Sequence, residues 1–159
     1  MAALLEMDIR EFITKSVLHV FATMLSMRLD VLKPEEEINF DGEKVVGTVN
    51  LVGTLNGAVL IHVNDVFAKA MTASMLGIKA DQVRSVANID DAIGELTNML
   101  GGNLKSRLSD YGFRCTLSIP SVTRGKDFSI QIMEGTRKER FVFRYQQNNL
   151  LVEVNIKDA

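Results

Sequence analysis

Glu95 and Asn98 stand three residues apart in the segment NIDDAIGELTNMLGGNLKSRL, residues 88–108. On a helix, side chains at this spacing are neighbours, with Cβ atoms roughly 5–6 Å apart. One is a carboxylate, able to pair with a cation. The other is a neutral carboxamide, able to donate and accept hydrogen bonds together. At about 100° per residue, Asp91, Glu95, Asn98, Gly102 and Lys105 fall within about 80° of each other. Ala92, Ile93, Leu96, Met99, Leu100, Leu104 and Leu108 fill the opposite half. The segment therefore reads as a helix over about 89–109, with a polar face that carries both groups outward.

A solvated face needs no function, but the composition argues for one here. Gly94, Asn98, Gly101, Gly102 and Asn103 are poor helix formers, and each interior glycine costs up to about 1 kcal/mol relative to alanine. Gly102 lies within the polar face, and Gly94 and Gly101 flank it. Removing side chains there lets another backbone approach, which marks a docking surface for a second protein.

The elements that must position this helix are legible in outline. Residues 6–30 predict a long helix, with Ile9, Phe12, Ile13, Val17, Val20, Phe21, Met24 and Leu25 at steps of three and four. Residues 44–63 predict a hairpin, turning at Asn56-Gly57. Asn64 can cap a second helix that ends at Gly77, and 78–88 is irregular. Residues 113–119, 127–133, 139–146 and 149–156 alternate as strands. An antiparallel sheet with one face covered by helices is expected, an α+β fold in one domain spanning 1–159. VFATML (20–25) aligns with ELTNML (95–100), a faint internal repeat.

The whole chain excludes several classes of function. It has 159 residues, 47% hydrophobic and 24% charged, with a net charge of -2, the balance of a globular protein. Its basic clusters, Arg137-Lys138 with Arg140 and Arg124 with Lys126, read as solvated loops and not as a nucleic-acid surface. One cysteine, Cys115, and two separated histidines, His19 and His62, make a structural zinc site improbable. Cys115 reads as a buried strand residue. The start MAALLEMDIREF lacks a signal peptide's basic leader. No apolar run approaches the roughly 20 residues that span a bilayer, so a cytoplasmic location is expected.

Asp91, Glu95, Asn98 and Pro120 follow one another with three, two and twenty-one residues between them. This spacing resembles the motif of the CheC, CheX and FliY phosphatases: Asp or Ser, then Glu, Asn and Pro. AIGELTNMLGGN looks like the motif helix of that family, and the short chain with one intact motif is most similar to CheX.

The resemblance implies a CheC-like fold with a degenerate duplication. Val20 and Thr23 occupy the places where two-site relatives carry a second Glu and Asn, so the first helix should hold no site. The implied substrate is the aspartyl phosphate of a CheY-like receiver domain, which would supply its own Mg²⁺ and lysine, with no cofactor held by this chain. Catalysis of phosphoryl transfer is mostly positioning and charge stabilisation. Asn98 would orient the attacking water, because a carboxylate there would be repelled by the phosphoryl oxygens. Glu95 would pair with the receiver's lysine. Asp91 would be favoured by the helix dipole, Gly102 and Lys105 would add partner contacts at the rim, and Pro120 would end a strand. A homodimer is implied, and pairing of the edge offered by the strands at 139–146 and 149–156 would form it. The alternative is an adaptor that binds a receiver through the same helix without hydrolysis. A flagellar switch component would need further segments for motor docking.

Overall fold

The computed structural model describes residues 8–130 and 135–158. The elements run α1 (Ile9–Leu25), β1 (Asp30–Val31), β2 (Lys44–Gly53), β3 (Leu55–Asn64), α2 (Asp65–Leu76), a 3₁₀ turn (Ala80–Gln82) and α3 (Val86–Asp110). Then come β4 (Cys115–Leu117), β5 (Ser121–Gly125), β6 (Arg137–Tyr145) and β7 (Asn148–Asp158). Among the described residues all strand pairs are antiparallel, in one seven-stranded sheet ordered β1-β6-β7-β3-β2-β4, with β5 also on β2. Val45, Val49, Val59, Ile61, Phe141, Phe143, Val152 and Val154 share one core with Ile13, Val17, Phe21, Ile93, Leu96 and Leu100. The α+β expectation holds.

The sheet order reads the same when two halves of the chain are exchanged. The hairpins β2-β3 and β6-β7 meet at the central pair β3-β7. β1, which follows α1, pairs with the outer strand of the second hairpin. β4 and β5, which follow α3, pair with the outer strand of the first. Each half thus lends a strand to the other, the topology expected of a duplication. In the first half Val20 is buried in the core, where Glu95, its counterpart, is exposed. Thr23 folds its hydroxyl back onto the His19 carbonyl at 2.8 Å. If the chemistry lies on α3 alone, as the resemblance implies, Thr23→Ala should leave turnover unchanged, whereas Val20→Ala should cost about 1–3 kcal/mol in urea unfolding. A large fall in turnover of folded Thr23→Ala would place a site on α1.

Several boundaries differ from expectation. α1 stops at Leu25 because Ser26 turns left-handed at φ 53°, and the Met27 N–H closes onto the Phe21 carbonyl at 3.1 Å. Residues 6–7 of the expected helix, and 131–133 of the expected strand with Ile132, lie outside the described residues. The hairpin turns at Thr54 and not at Asn56-Gly57. Asn56 Oδ1 accepts from the Gly53 N–H at 3.2 Å and so braces the turn from inside β3. Gly57 is required for a different reason: the Asn155 carbonyl of β7 occupies the place of a Cβ. The described part of the strand expected at 127–133, residues 127–130, is not in a strand; β5 lies before it, and Asp127 turns left-handed at φ 53°. Phe128 lies instead under the Lys44 ammonium, 4.8 Å from the ring centroid. Asn64 caps α2 through the Phe67 N–H at 2.8 Å, and Gly77 closes it in the left-handed region, as expected.

Nor is only one face of the sheet covered. Val46, His62, Leu151 and Val142 line up across four strands on the face away from the helices, and all are buried. The segment after β1 is tied to this side: Arg140 donates to the carbonyls of Pro34 and Glu36 at 2.6 and 2.9 Å. Here His62 Nε2 lies 2.6 Å from Glu153 Oε1. The hydrogen bond from His62 holds the Glu153 carboxyl below the usual carboxylate range, against the opposing effect of burial. Cys115 is buried in β4, as expected, and burial raises its thiol pKa. Among the described residues no helix is long and apolar enough to cross a membrane.

Candidate functional site

The rotation of α3 about its axis is fixed by close packing on β2. Gly47 leaves room for the Thr97 side chain, whose hydroxyl donates to the Ile93 carbonyl at 2.6 Å. A Cβ on Gly101 would come within 2.6 Å of Val49 Cγ1. Gly101 is thus a contact between helix and sheet rather than part of a docking face, a correction that follows from its burial. Asn103 also works within the fold, donating to Ser16 Oγ of α1 at 2.8 Å. With Leu96, Thr97, Leu100 and Gly101 held inward, Glu95 and Asn98 must face out.

They open into a cleft of ≈ 710 Å³ between α3 and the bend that joins β4 to β5. Asp90, Asp91, Gly94, Glu95 and Asn98 form one wall, and Leu117, Ser118, Ile119, Pro120 and Val122 the other. The second wall exists because the strand against β2 is broken. Ser118 replaces regular pairing by donating its N–H to the Asn50 carbonyl and accepting the Asn50 N–H on its Oγ, both at 2.9 Å. Pro120 follows, with no N–H to donate, a position that proline tolerates on an edge strand. Gly94 faces it: a Cβ there would lie 3.7 Å from the Pro120 Cβ.

The structure thus gathers Asp91, Glu95 and Asn98 of α3 around one space with Pro120, which lies twenty-two residues beyond Asn98 in the chain. Gly102 and Lys105 do not line it. Gly102 has open space around it and Lys105 is exposed farther along α3. The expected dipole role of Asp91 is corrected. α3 begins at Val86, capped by Ser85 Oγ on the Asn88 N–H at 3.3 Å, and has no acidic residue in its first turn. Asp91 stands in the second turn, beyond the reach of the terminal dipole, and faces the cleft. Pro120, expected to end a strand, stands instead in the break between β4, which ends at Leu117, and β5, which begins at Ser121, and it lines the site.

Sequence reasoning missed Asp90, Gly94 as the partner of Pro120, and Arg124. Arg124 belongs to β5 and not to a solvated loop; it ion-pairs with Asp90 and lies 3.8 Å from Glu43. Arg137 and Arg140 likewise belong to β6, where Arg137 Nε meets Glu139 at 3.1 Å. Asp90 is therefore neutralised at the cleft, and Asp91 and Glu95 are the carboxylates presented outward. Among the described residues, no group of three His, Cys, Asp or Glu side chains could hold a metal ion.

A helix presenting a carboxylate and a carboxamide beside a proline-broken edge strand, on a sheet of exchanged halves, defines the CheC-like class of protein. Comparison with known proteins narrows the class. The model of the chemotaxis phosphatase CheX family matches residues 45–145, and the chain belongs to this family. A CheY-P phosphatase CheX of Thermotoga maritima is 30% identical over 88 residues, 55% of this chain and 56% of that protein, so the match spans little more than half its length. The CheX crystal structure from Vibrio vulnificus is 25% identical, with 95% of this chain and 97% of that one covered at a TM-score of 0.79. The CheX–CheY–BeF3–Mg²⁺ complex from Borrelia burgdorferi shares the fold at 18% identity and a TM-score of 0.77, covering 95% of this chain and 99% of that one.

Proposed function

We propose that this chain, as a single CheX-like domain in the cytoplasm, hydrolyses the aspartyl phosphate of a CheY-like receiver domain. The observation that carries this reading is the shared cleft of Asp91, Glu95, Asn98 and Pro120, with the acid and the amide on one exposed helix face. Hydrolysis needs in-line attack of water on phosphorus, with charge spread over the phosphoryl oxygens. The receiver brings the ions that neutralise that charge, Mg²⁺ and a lysine. Asn98 then accepts a hydrogen bond from the water and aims it without adding negative charge. Glu95 pairs with the lysine and sets the register of docking. Asp91 adds a second carboxylate to the same wall, and Gly102 and Lys105 meet the receiver beyond the cleft. The existence of a CheX–CheY complex in a protein of the same fold supports the partner. The test is phosphate release from a panel of phosphorylated receiver domains of the same cell. At least one should lose its phosphate faster in the presence of this chain.

The adaptor reading differs only in chemistry, and the intact carboxamide of Asn98 favours hydrolysis, because binding alone has no use for a water-positioning group.

We further propose a homodimer through the sheet edge, although not through β7. β7 lies inside the sheet, between β6 and β3. The outer edge belongs to β6 and the short β1, whose register reaches only Phe143 and Arg144. Val31 of β1 is 55% exposed there. Among the described residues β6 has no strand partner on this side from Lys138 to Phe141; an incompletely covered edge is a site for strand pairing, and a two-fold axis closes the assembly. The cleft lies at the opposite edge, where β4 and β5 meet β2, so each subunit should bind one receiver. Light scattering across a dilution series should give the dimer mass at micromolar concentration. A monomer mass, or well under one receiver bound per chain, would refute the arrangement.

A further inference from the structure

The two walls of the cleft differ in chemistry. The α3 wall is polar and presents Asp91 and Glu95, which have no ion-pair partner among the described residues. The opposite wall is apolar apart from Ser118: Leu117, Ile119, Pro120 and Val122. Ile119 is 90% exposed, more than any other large apolar side chain among the described residues.

Single exposed apolar side chains are common and usually mean nothing. Ile119 differs in how it is held. On one side Ser118 is clamped to the Asn50 backbone by two hydrogen bonds of 2.9 Å, and its hydroxyl also lies 3.3 Å from the Ile119 carbonyl. On the other side the ring of Pro120 fixes the backbone and rests beside Gly94. An isoleucine between two such anchors is presented with little entropy left to lose on binding, which is the condition for an affinity anchor. It also stands on the rim that a domain must cross to bring a phosphoryl group to Asn98.

Resting on the phosphatase reading above, we propose that Ile119 is the apolar anchor of the receiver interface and sets which receivers are accepted. The receiver that fits has two features side by side. A cation next to its phosphorylated carboxyl meets Glu95 and Asp91, and an apolar patch beside that pocket covers Ile119 and Pro120. A receiver with a charged or polar patch at that place would leave Ile119 wet, or strand its own charge against it, and would be discriminated against.

The experiment measures affinity for a beryllofluoride-loaded receiver, together with kcat and KM for phosphate release, in Ile119→Ala and Ile119→Asp. Truncating a well-covered isoleucine should weaken binding roughly tenfold, and the aspartate should weaken it further. KM should rise in step while kcat at saturation stays within about twofold, because Ile119 touches no reacting atom. Thermal unfolding should be unchanged for so exposed a position. Binding within twofold of wild type in both variants would overturn the anchor, even with full phosphatase activity. A wild-type chain that binds the loaded receiver without hydrolysing its phosphate, and loses that binding in Ile119→Asp, would overturn catalysis and support the anchor.

Discussion

Asn98→Ala is expected to abolish turnover and leave receiver affinity nearly intact. In the proposed mechanism the carboxamide orients water only along the path to the transition state, so its removal falls on kcat and little on binding. Loss of one preorganised hydrogen-bonding group at a reacting centre costs on the order of 10²–10³-fold in rate. Asn98 is half-buried at the cleft and no core contact depends on its amide, since the helix is held by Leu96, Thr97 and Leu100. The folded variant should therefore still bind a beryllofluoride-loaded receiver with near-native affinity. Unchanged phosphate release would remove Asn98 from the chemistry. A loss of affinity parallel to the loss of rate would make it a docking residue.

Glu95→Lys is expected to impair both binding and turnover. In the proposed docking the substitution sets an ammonium against the receiver's lysine, in a site that the receiver closes to water. Breaking a desolvated charge pair costs about 2–5 kcal/mol, which is roughly 30-fold or more in affinity. Glu95 is exposed and has no ion-pair partner among the described residues, so the fold should not notice. Replacing the receiver's lysine by glutamate should restore binding to Glu95→Lys. Restored binding without restored turnover is expected as well, because the lysine also neutralises the phosphoryl group. Native affinity of the single variant would mean that Glu95 faces no cation.

How much of this was legible in the sequence follows from the range over which each feature is determined. The polar face of α3 is written within one helix, where period and direction are local, and Glu95 and Asn98 lie where the wheel puts them. The caps at Asn64 and Gly77 are local too. The meaning of the glycines is not. Gly101 and Gly57 answer to Val49 and to the Asn155 carbonyl, which belong to other elements. They read as a docking face and a turn for want of those partners. Arg124 is thirty-four residues from Asp90, and nothing near it signals an ion pair.

The second wall of the cleft was visible only as Pro120 in a spaced motif. That the break in the strand builds a wall requires knowing that β4 and β5 share β2 as a partner. The edge strand was misread for a related reason. β7 buries Leu150, Val152 and Val154 on one face and Leu151 on the other because it is central and both faces of the sheet are covered, which in sequence looks the same as an exposed apolar edge. The duplication, faint as six aligned residues, is plain in the strand order, because topology keeps what substitution erases.

The central claim is that this chain turns over aspartyl phosphate, and the lifetime of that bond tests it most directly. A cognate receiver, phosphorylated and freed of its phosphodonor, should lose phosphate with a first-order rate that rises in proportion to substoichiometric amounts of this chain. Each chain should act many times, and Asn98→Ala should give no acceleration at equal occupancy. A lifetime that is unchanged, or lengthened as an adaptor shields the phosphate from water, would contradict the account.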